Sequence, residues 1–194
     1  IPLIGALSAN VMGDYQEKGG YNLIDPAKRG AIDVVSQSIQ RNAYARLNYA
    51  PSANWSAFAT GHLFGDSRAT GTPLSKANRE QKHVDFGLNY GVTKSGMLTI
   101  RGWDGVQTEN QRSTAIRAGG RAAEDSSLTA EIPSHDWGAS AQWTKGGIPY
   151  LESISIGGDF RHYQGDFNEI DFNTTCPGTS CGAITRRVSS GGAQ

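Results

Sequence analysis

Long apolar runs are missing from this 194-residue chain: no window approaches the roughly 18 consecutive apolar residues that a membrane-spanning helix requires. Mean hydropathy is −0.45, so a helical membrane protein is excluded. The same average leaves room for strands that cross a bilayer, because these show lipid only every second side chain. Net charge is absent too. Eighteen basic and eighteen acidic residues cancel, which leaves no field to attract nucleic acid. Methionine is scarce, with 2 residues, hydrophobic residues make up 37%, and Gly reaches 25. Ser, Thr, Asn and Gln fill positions where a soluble core would want Leu or Ile, so a large packed core is not expected. The segment from Ile1 to Ala6 has no basic region followed by an apolar run; any signal peptide has been removed or lies outside this sequence.

Signatures of catalysis are missing as well. No HExxH, GxSxG or P-loop pattern occurs, and His62, His83, His135 and His162 are scattered without the close pairing of a metal motif. The expectation is a protein that is not an enzyme and carries no cofactor or metal, with the histidines at interfaces or in loops.

What is present is period-2 alternation in segments of about ten residues, the length a tilted strand needs to cross a bilayer. Val84, Phe86, Leu88, Tyr90 and Val92 alternate with Asp85, Gly87, Asn89 and Gly91. Ala43, Ala45, Leu47 and Tyr49 alternate with Tyr44, Arg46 and Asn48; Trp137, Ala139, Ala141 and Trp143 alternate with Gly138, Ser140, Gln142 and Thr144. Ile154, Ile156, Gly158 and Phe160 do so against Ser155, Gly157, Asp159 and Arg161. Weaker alternation marks Ile4 to Tyr15, Trp55 to Asp66 and Leu98 to Gln107, and a further strand begins near Ile184. The expected lipid-facing set is Val84, Phe86, Leu88, Tyr90, Ala139, Ala141, Ile154 and Ile156.

Short links at Ala50 to Asn54, Thr93 to Gly96 and Lys145 to Pro149 take turns with long polar ones at Gln16 to Ser36, Ser67 to Lys82, Asn110 to Ser134 and Gly165 to Ala183. Outer-membrane barrels have short periplasmic turns and long extracellular loops. Aromatic residues with a polar edge collect where hydrocarbon meets water. Tyr49, Trp55, Tyr90, Trp143 and Tyr150 flank the short turns, and Tyr15, Trp137 and Tyr163 lie toward the long loops as an outer girdle. A soluble β-sandwich also alternates but has no reason to sort aromatics or loop lengths in this way. The recurrence of Leu-Asn-Tyr at Leu47 to Tyr49 and Leu88 to Tyr90 is the repeat of a hairpin, not of a solenoid. Ile184 to Gln194 has no sustained apolar face. It is read as stopping before it crosses, which makes the chain a segment of a larger barrel, since strand edges cannot be left unpaired in lipid.

The run Phe64, Gly65, Asp66, Ser67, Arg68, Ala69, Thr70, Gly71, Thr72, Pro73, Leu74, with Asn78, resembles a strand and outer loop of the large TonB-dependent receptors, where an acidic residue, an Arg and a Gly-Thr-Pro step recur. The resemblance covers most of the chain in texture, and that loop is its one specific motif. It implies an all-β fold: a transmembrane antiparallel β-barrel in which residues 1–194 supply about seven to eight up-and-down strands of 22. The activity implied is energy-coupled uptake of a scarce nutrient through a plugged barrel in the outer membrane of a Gram-negative bacterium. The partners implied are outer-membrane lipid, an unknown small ligand, and the inner-membrane TonB complex acting through a plug domain. No plug and no TonB box is visible in these residues. The alternative is a passive porin or structural barrel, which would share every strand.

Arg46, Asp85, Asn89, Arg101, Asp159 and Arg161 fall on the expected inner face, where they are candidates to line a substrate path; large barrels are also polar inside simply because water or a plug fills them. Asp166, Asn168, Glu169 and Asp171 have the oxygen ligands for Ca²⁺ but lack the Gly and terminal Glu of an EF-hand, so a solvated acidic loop is favoured. The sequon Asn54-Trp55-Ser56 in a periplasmic turn is read as chance. Cys176 and Cys181 enclose Pro177, Gly178, Thr179 and Ser180, a turn-forming stretch that suits a local disulfide in an oxidising compartment. A metal site would want further soft ligands nearby, and free thiols are disfavoured in an oxidising envelope. A ring this small is worth only ~2 kcal/mol, and that acts on the loop alone. Thiol labelling of the unreduced, denatured protein should find no reactive cysteine; two reactive thiols would rule the bridge out.

Overall fold

A computed structural model describes residues 2–4, 6–92, 95–117, 119–175 and 182–193. The alternating segments form one antiparallel meander: β1 (Pro2–Ile4), β2 (Leu7–Lys18), β3 (Gln37–Ser52), β4 (Trp55–Ala69), β5 (Lys76–Val92), β6 (Gly96–Ile116), β7 (Glu124–Ile148), β8 (Leu151–Phe172) and β9 (Ile184–Ala193). Spatial order is sequence order, every neighbouring pair is antiparallel, and among the described residues no pairing joins β1 to β9. β2 to β9 are thus eight up-and-down strands of one open sheet. One 3-10 turn, Pro26–Lys28, started by the Asp25 carboxylate accepting from the Ala27 amide, is the helical content among the described residues.

Several boundaries differ from the expectation. The segment read as one strand from Ile4 is broken after Ile4, and β1 folds back on the start of β2. The stretches expected as long loops at Ser67 to Lys82, Asn110 to Ser134 and Gly165 to Ala183 continue as strands and shrink to connections at 70–75, 117–123 and 173–183. Alternation disappears there because both faces meet water, yet the ladder goes on satisfying the backbone, and cross-strand pairs such as Arg79 with Glu109 fit the pleat. β7 reaches 25 residues, against the roughly 9–11 that cross a bilayer. Connections of unequal length still take turns: 53–54, 93–95 and 149–150 at one end, and 19–36, 70–75, 117–123 and 173–183 at the other. The cysteines fall in 176–181, outside the described residues.

The register decides what each face carries. Directly paired residues share a face, and Val11 pairs with Ala45, Ala45 with Gly61, and Gly61 with Val84. The adjacent rung on that face runs Ala9, Leu47, Ala59, Phe86, Gly102, Ala139, Phe160, and the next runs Leu7, Tyr49, Ala57, Leu88, Ile100, Ala141, Gly158. Every residue of the expected lipid-facing set lies on this one apolar face. Exposure is inverted relative to a soluble sheet. Val84, Phe86, Leu88 and Tyr90 are exposed, whereas His83, Asp85 and Asn89 between them are half-buried. Among the described residues Ile32 and Ala130 alone are buried apolar residues, so there is no hydrophobic core.

The apolar band runs diagonally across the rungs. Its upper edge is Tyr15 on β2 and Phe160 on β8, and the rung of Phe160 leads back through Ala139, Gly102, Phe86, Ala59 and Leu47 to Ala9. The band thus drops by about six residues over the steps from β2 to β8, about one residue per strand, which is the stagger of strands tilted by roughly 35°. Tyr49 and Trp55 stack edge to face at 5.2 Å below the band, and Trp137 packs on Phe160 and His162 above it. Tyr163 does not join that upper set: it pairs with Asp136 and so lies on the polar face, since a shift of one residue reverses the side of the sheet.

Several aromatic rings lie over glycines of the neighbouring strand. Phe58 is opposite Gly87, Phe86 opposite Gly102 and Trp103 opposite Gly138. A Cβ on Gly138 would come within 2.3 Å of the Trp103 ring and 2.4 Å of the Phe160 carbonyl oxygen, whereas one on Gly61 would meet nothing within 4 Å. Gly138→Val should destabilise the folded sheet by about 1–3 kcal/mol. Gly61→Ala should be neutral to within about 0.5 kcal/mol. Urea unfolding in lipid vesicles checks both, and equal costs would contradict the registered packing.

Candidate functional site on the polar face

All six residues expected to line an inner path lie on the polar face, on three successive rungs. One rung runs Asn10, Arg46, Thr60, Asp85, Trp103, Gly138, Arg161; the next carries Asn48, Phe58, Gly87, Arg101, Ser140 and Asp159; the third carries Ser56, Asn89, Thr99 and Gln142. Period-2 geometry brings them to one side, and the hairpin register brings them to similar height.

Their contacts divide them. Asn89 donates to Ser56 Oγ at 3.2 Å and accepts from Thr99 Oγ1 at 3.2 Å, a neutral cross-strand ladder. Asp85 is within 3.0 Å of His83 Nε2. Arg161 donates through Nε and Nη2 to the two oxygens of Asp136, both at 2.8 Å, the bidentate geometry that orients both partners. Asp159 borders a shallow depression with Ser140 and Ser155. Arg46 and Arg101 come together: their guanidinium carbons lie 4.1 and 4.6 Å from the centre of the Phe58 ring. Sequence reading missed Phe58 and Trp103 here because both break the alternation, and the only signal is that each faces a glycine on the next strand.

The histidines are strand residues. His62 and His83 pair directly on the polar face, while His135 and His162 lie on the apolar face, His135 bound to Asp104 at 2.7 Å. The acidic run is not a loop but part of β8, and its alternation splits it: Glu169 and Asp171 share the polar face and both accept from Arg186, while Asp166 and Asn168 point the other way. Among the described residues no group of three or more His, Cys, Asp or Glu is placed to hold a metal ion.

At the end with the longer connections, the segment 19–36 reaches across two hairpin tips. Val34 donates its amide to the Gly71 carbonyl at 3.0 Å, and Ile32 donates to the Arg121 carbonyl at 3.3 Å. Arg121, with φ of 60°, donates through Nε and Nη2 to Asp33, whose side chain is 2% exposed. The two residues are 88 positions apart, which no local pattern in the sequence reveals. The close approach needs a glycine at 30, where a Cβ would fall 2.2 Å from the Arg121 carbonyl oxygen. Thr72, buried, bonds Thr114 at 3.3 Å, and the Leu74 amide donates to Glu124 at 2.8 Å, tying the two tips to each other. This strap links the outer ends of three hairpins.

The hydrogen bonds from Arg121, joined by the Gly30 amide, hold the Asp33 carboxyl down at about 2, against an ordinary 3.8. Because the folded value is depressed, the tie is complete above about pH 4 and is lost as pH falls through about 2. Asp33→Asn should therefore raise amide hydrogen exchange in 30–34 at neutral pH and leave exchange in β3 to β6 unchanged. The unsubstituted chain should show the same local opening only in that acid range; opening of the whole sheet would refute a local tie.

No family model, curated protein or solved structure matches the chain.

Proposed function

We propose that these strands are part of the wall of a transmembrane β-barrel in the outer membrane of a Gram-negative bacterium, and that the barrel is an energy-coupled importer of the TonB-dependent kind. The observation that carries the membrane reading is the inverted exposure of β5, with Val84 51%, Phe86 58% and Tyr90 51% exposed while Asp85 and Asn89 between them are half-buried. In water such a continuous apolar surface would drive aggregation, and in hydrocarbon it is at rest. A stagger of about one residue per strand and aromatic residues at both margins of the band agree with strands tilted through a bilayer. No helix among the described residues is long and apolar enough to cross a membrane, so the strands are what would cross.

The importer reading draws on the resemblance of the strand and loop from Phe64 to Asn78, and on what stands beyond the band. β6, β7 and β8 continue well past the height a membrane requires, and the 19–36 segment straps the β6–β7 tip to the β4–β5 tip. Such a braced rim suits capture of a ligand outside the membrane before it is handed inward. The polar wall, with Arg46, Asp85, Asn89, Arg101, Asp159 and Arg161, would line the path, and the inner-membrane complex would act through a plug.

Lys or Arg at Leu88 should cost ~2–4 kcal/mol, whereas the same change at Asn89 should be mild. A spin label at Leu88 should meet a lipid-soluble quencher and one at Asn89 should not; equal access would overturn the membrane reading. The importer reading is tested on the whole gene product. Uptake that persists when the inner-membrane complex is deleted would leave a passive pore.

A further inference from the structure

We propose that Arg46 and Arg101, stacked on Phe58, form a binding site on the polar face for a small anion carrying two oxyanion groups, carboxylate or phosphate. Six arginines lie on that face of the strands: Arg46, Arg68, Arg79, Arg101, Arg161 and Arg186. Four have a carboxylate, Arg68 on Asp66, Arg79 on Glu109, Arg161 on Asp136 and Arg186 on Glu169 and Asp171. Among the described residues Arg46 and Arg101 have none. These two guanidinium groups without a carboxylate lie 4.1 and 4.6 Å from the centre of one ring. Two positive charges gathered on one ring with no acid to neutralise them repel each other, and an anion bound between them would relieve that repulsion.

The pair is held ready rather than loose. Asn48 Oδ1 accepts from Arg46 Nε at 2.8 Å, which fixes the plane of that guanidinium and leaves its terminal nitrogens to donate elsewhere. The Phe58 ring that both arginines share is laid down over Gly87, where a Cβ would come within 2.3 Å of it, and Arg101 Nη1 would be 3.0 Å from the same point. Glycine at 87 therefore lets ring and guanidinium lie flat together. Both cations keep their forked N–H edges while their faces are occupied by the ring, the arrangement that recognises oxyanions by two parallel hydrogen bonds. The nearest acids on neighbouring strands are otherwise placed: Asp85 is with His83, and Asp159 lies beyond Ser140 from Arg101. The negative charge is left for a ligand to supply.

The site is reached from the interior that the barrel reading supplies, and rests on that reading for access only. The whole protein in detergent micelles, titrated calorimetrically at low salt with citrate and separately with inorganic pyrophosphate, tests it. At least one probe should bind, and the tighter of the two assigns carboxylate or phosphate chemistry. Arg46→Gln and Arg101→Gln should each weaken that binding by tenfold or more, and Arg46→Lys should fail to restore it because an ammonium lacks the planar fork. Gly87→Val, which displaces the ring and leaves both charges, should weaken it too. Binding by neither probe, or equal binding to the unsubstituted and doubly substituted protein, would overturn the site. Neither outcome touches the Leu88 quenching result, on which the barrel reading stands or falls separately.

Discussion

The antiparallel backbone ladder that joins each strand to the next is the constraint on which everything else in this protein depends. With no hydrophobic core to collapse around, β2 to β8 are held by hydrogen bonds to the next strand and by side chains paired across it. Register does what packing does in a globular domain. Because the side-chain period is two, a slip of one residue in any hairpin would send its apolar set to the polar face and its charges to the apolar one. The tight connections at 53–54 and 149–150 fix that register from one end, and the paired rows then carry it from strand to strand.

The same ladder sets the cost of side-chain size. Where bulky rings enter the polar face, as at Phe58 and Trp103, the neighbouring strand offers glycine, and the ring covers backbone that would otherwise be bare. Gly102 plays the equivalent part for Phe86 on the apolar face. The abundance of glycine is therefore partly a packing solution for a sheet that has no second layer to receive its large side chains.

Above the apolar band the logic changes. Both faces meet water, alternation lapses, and charge pairs take over: Arg79 with Glu109, Arg117 with Asp125, Arg186 with Glu169 and Asp171. Exposed pairs of this kind contribute little each, and they matter here mainly for matching one strand to the next. The shielded exception is Asp33 with Arg121, where a segment from the first long connection is fastened to the third hairpin tip. That contact turns a row of independent hairpins into a braced rim.

The pattern of the amino acids by itself determined the all-β, up-and-down antiparallel character of the chain, the two-sidedness of the strands and the face on which Arg46, Asp85, Asn89, Arg101, Asp159 and Arg161 stand. These follow from a period of two, which is local and survives without knowledge of any partner strand. It overstated the loops at Ser67 to Lys82 and Asn110 to Ser134, because a strand wetted on both faces has no alternation to betray it. It put Tyr163 in the outer girdle, although two residues from Arg161 the residue keeps the inner face, and it read Asp166 to Asp171 as a loop because polar residues on both faces leave no alternation there. Only the tertiary structure decided that Arg46 and Arg101 share one ring, that His62 faces His83, and that Asp33 meets Arg121 across 88 positions. Such contacts are fixed by register and by the path of a long connection, and neither is written in the residues that make them.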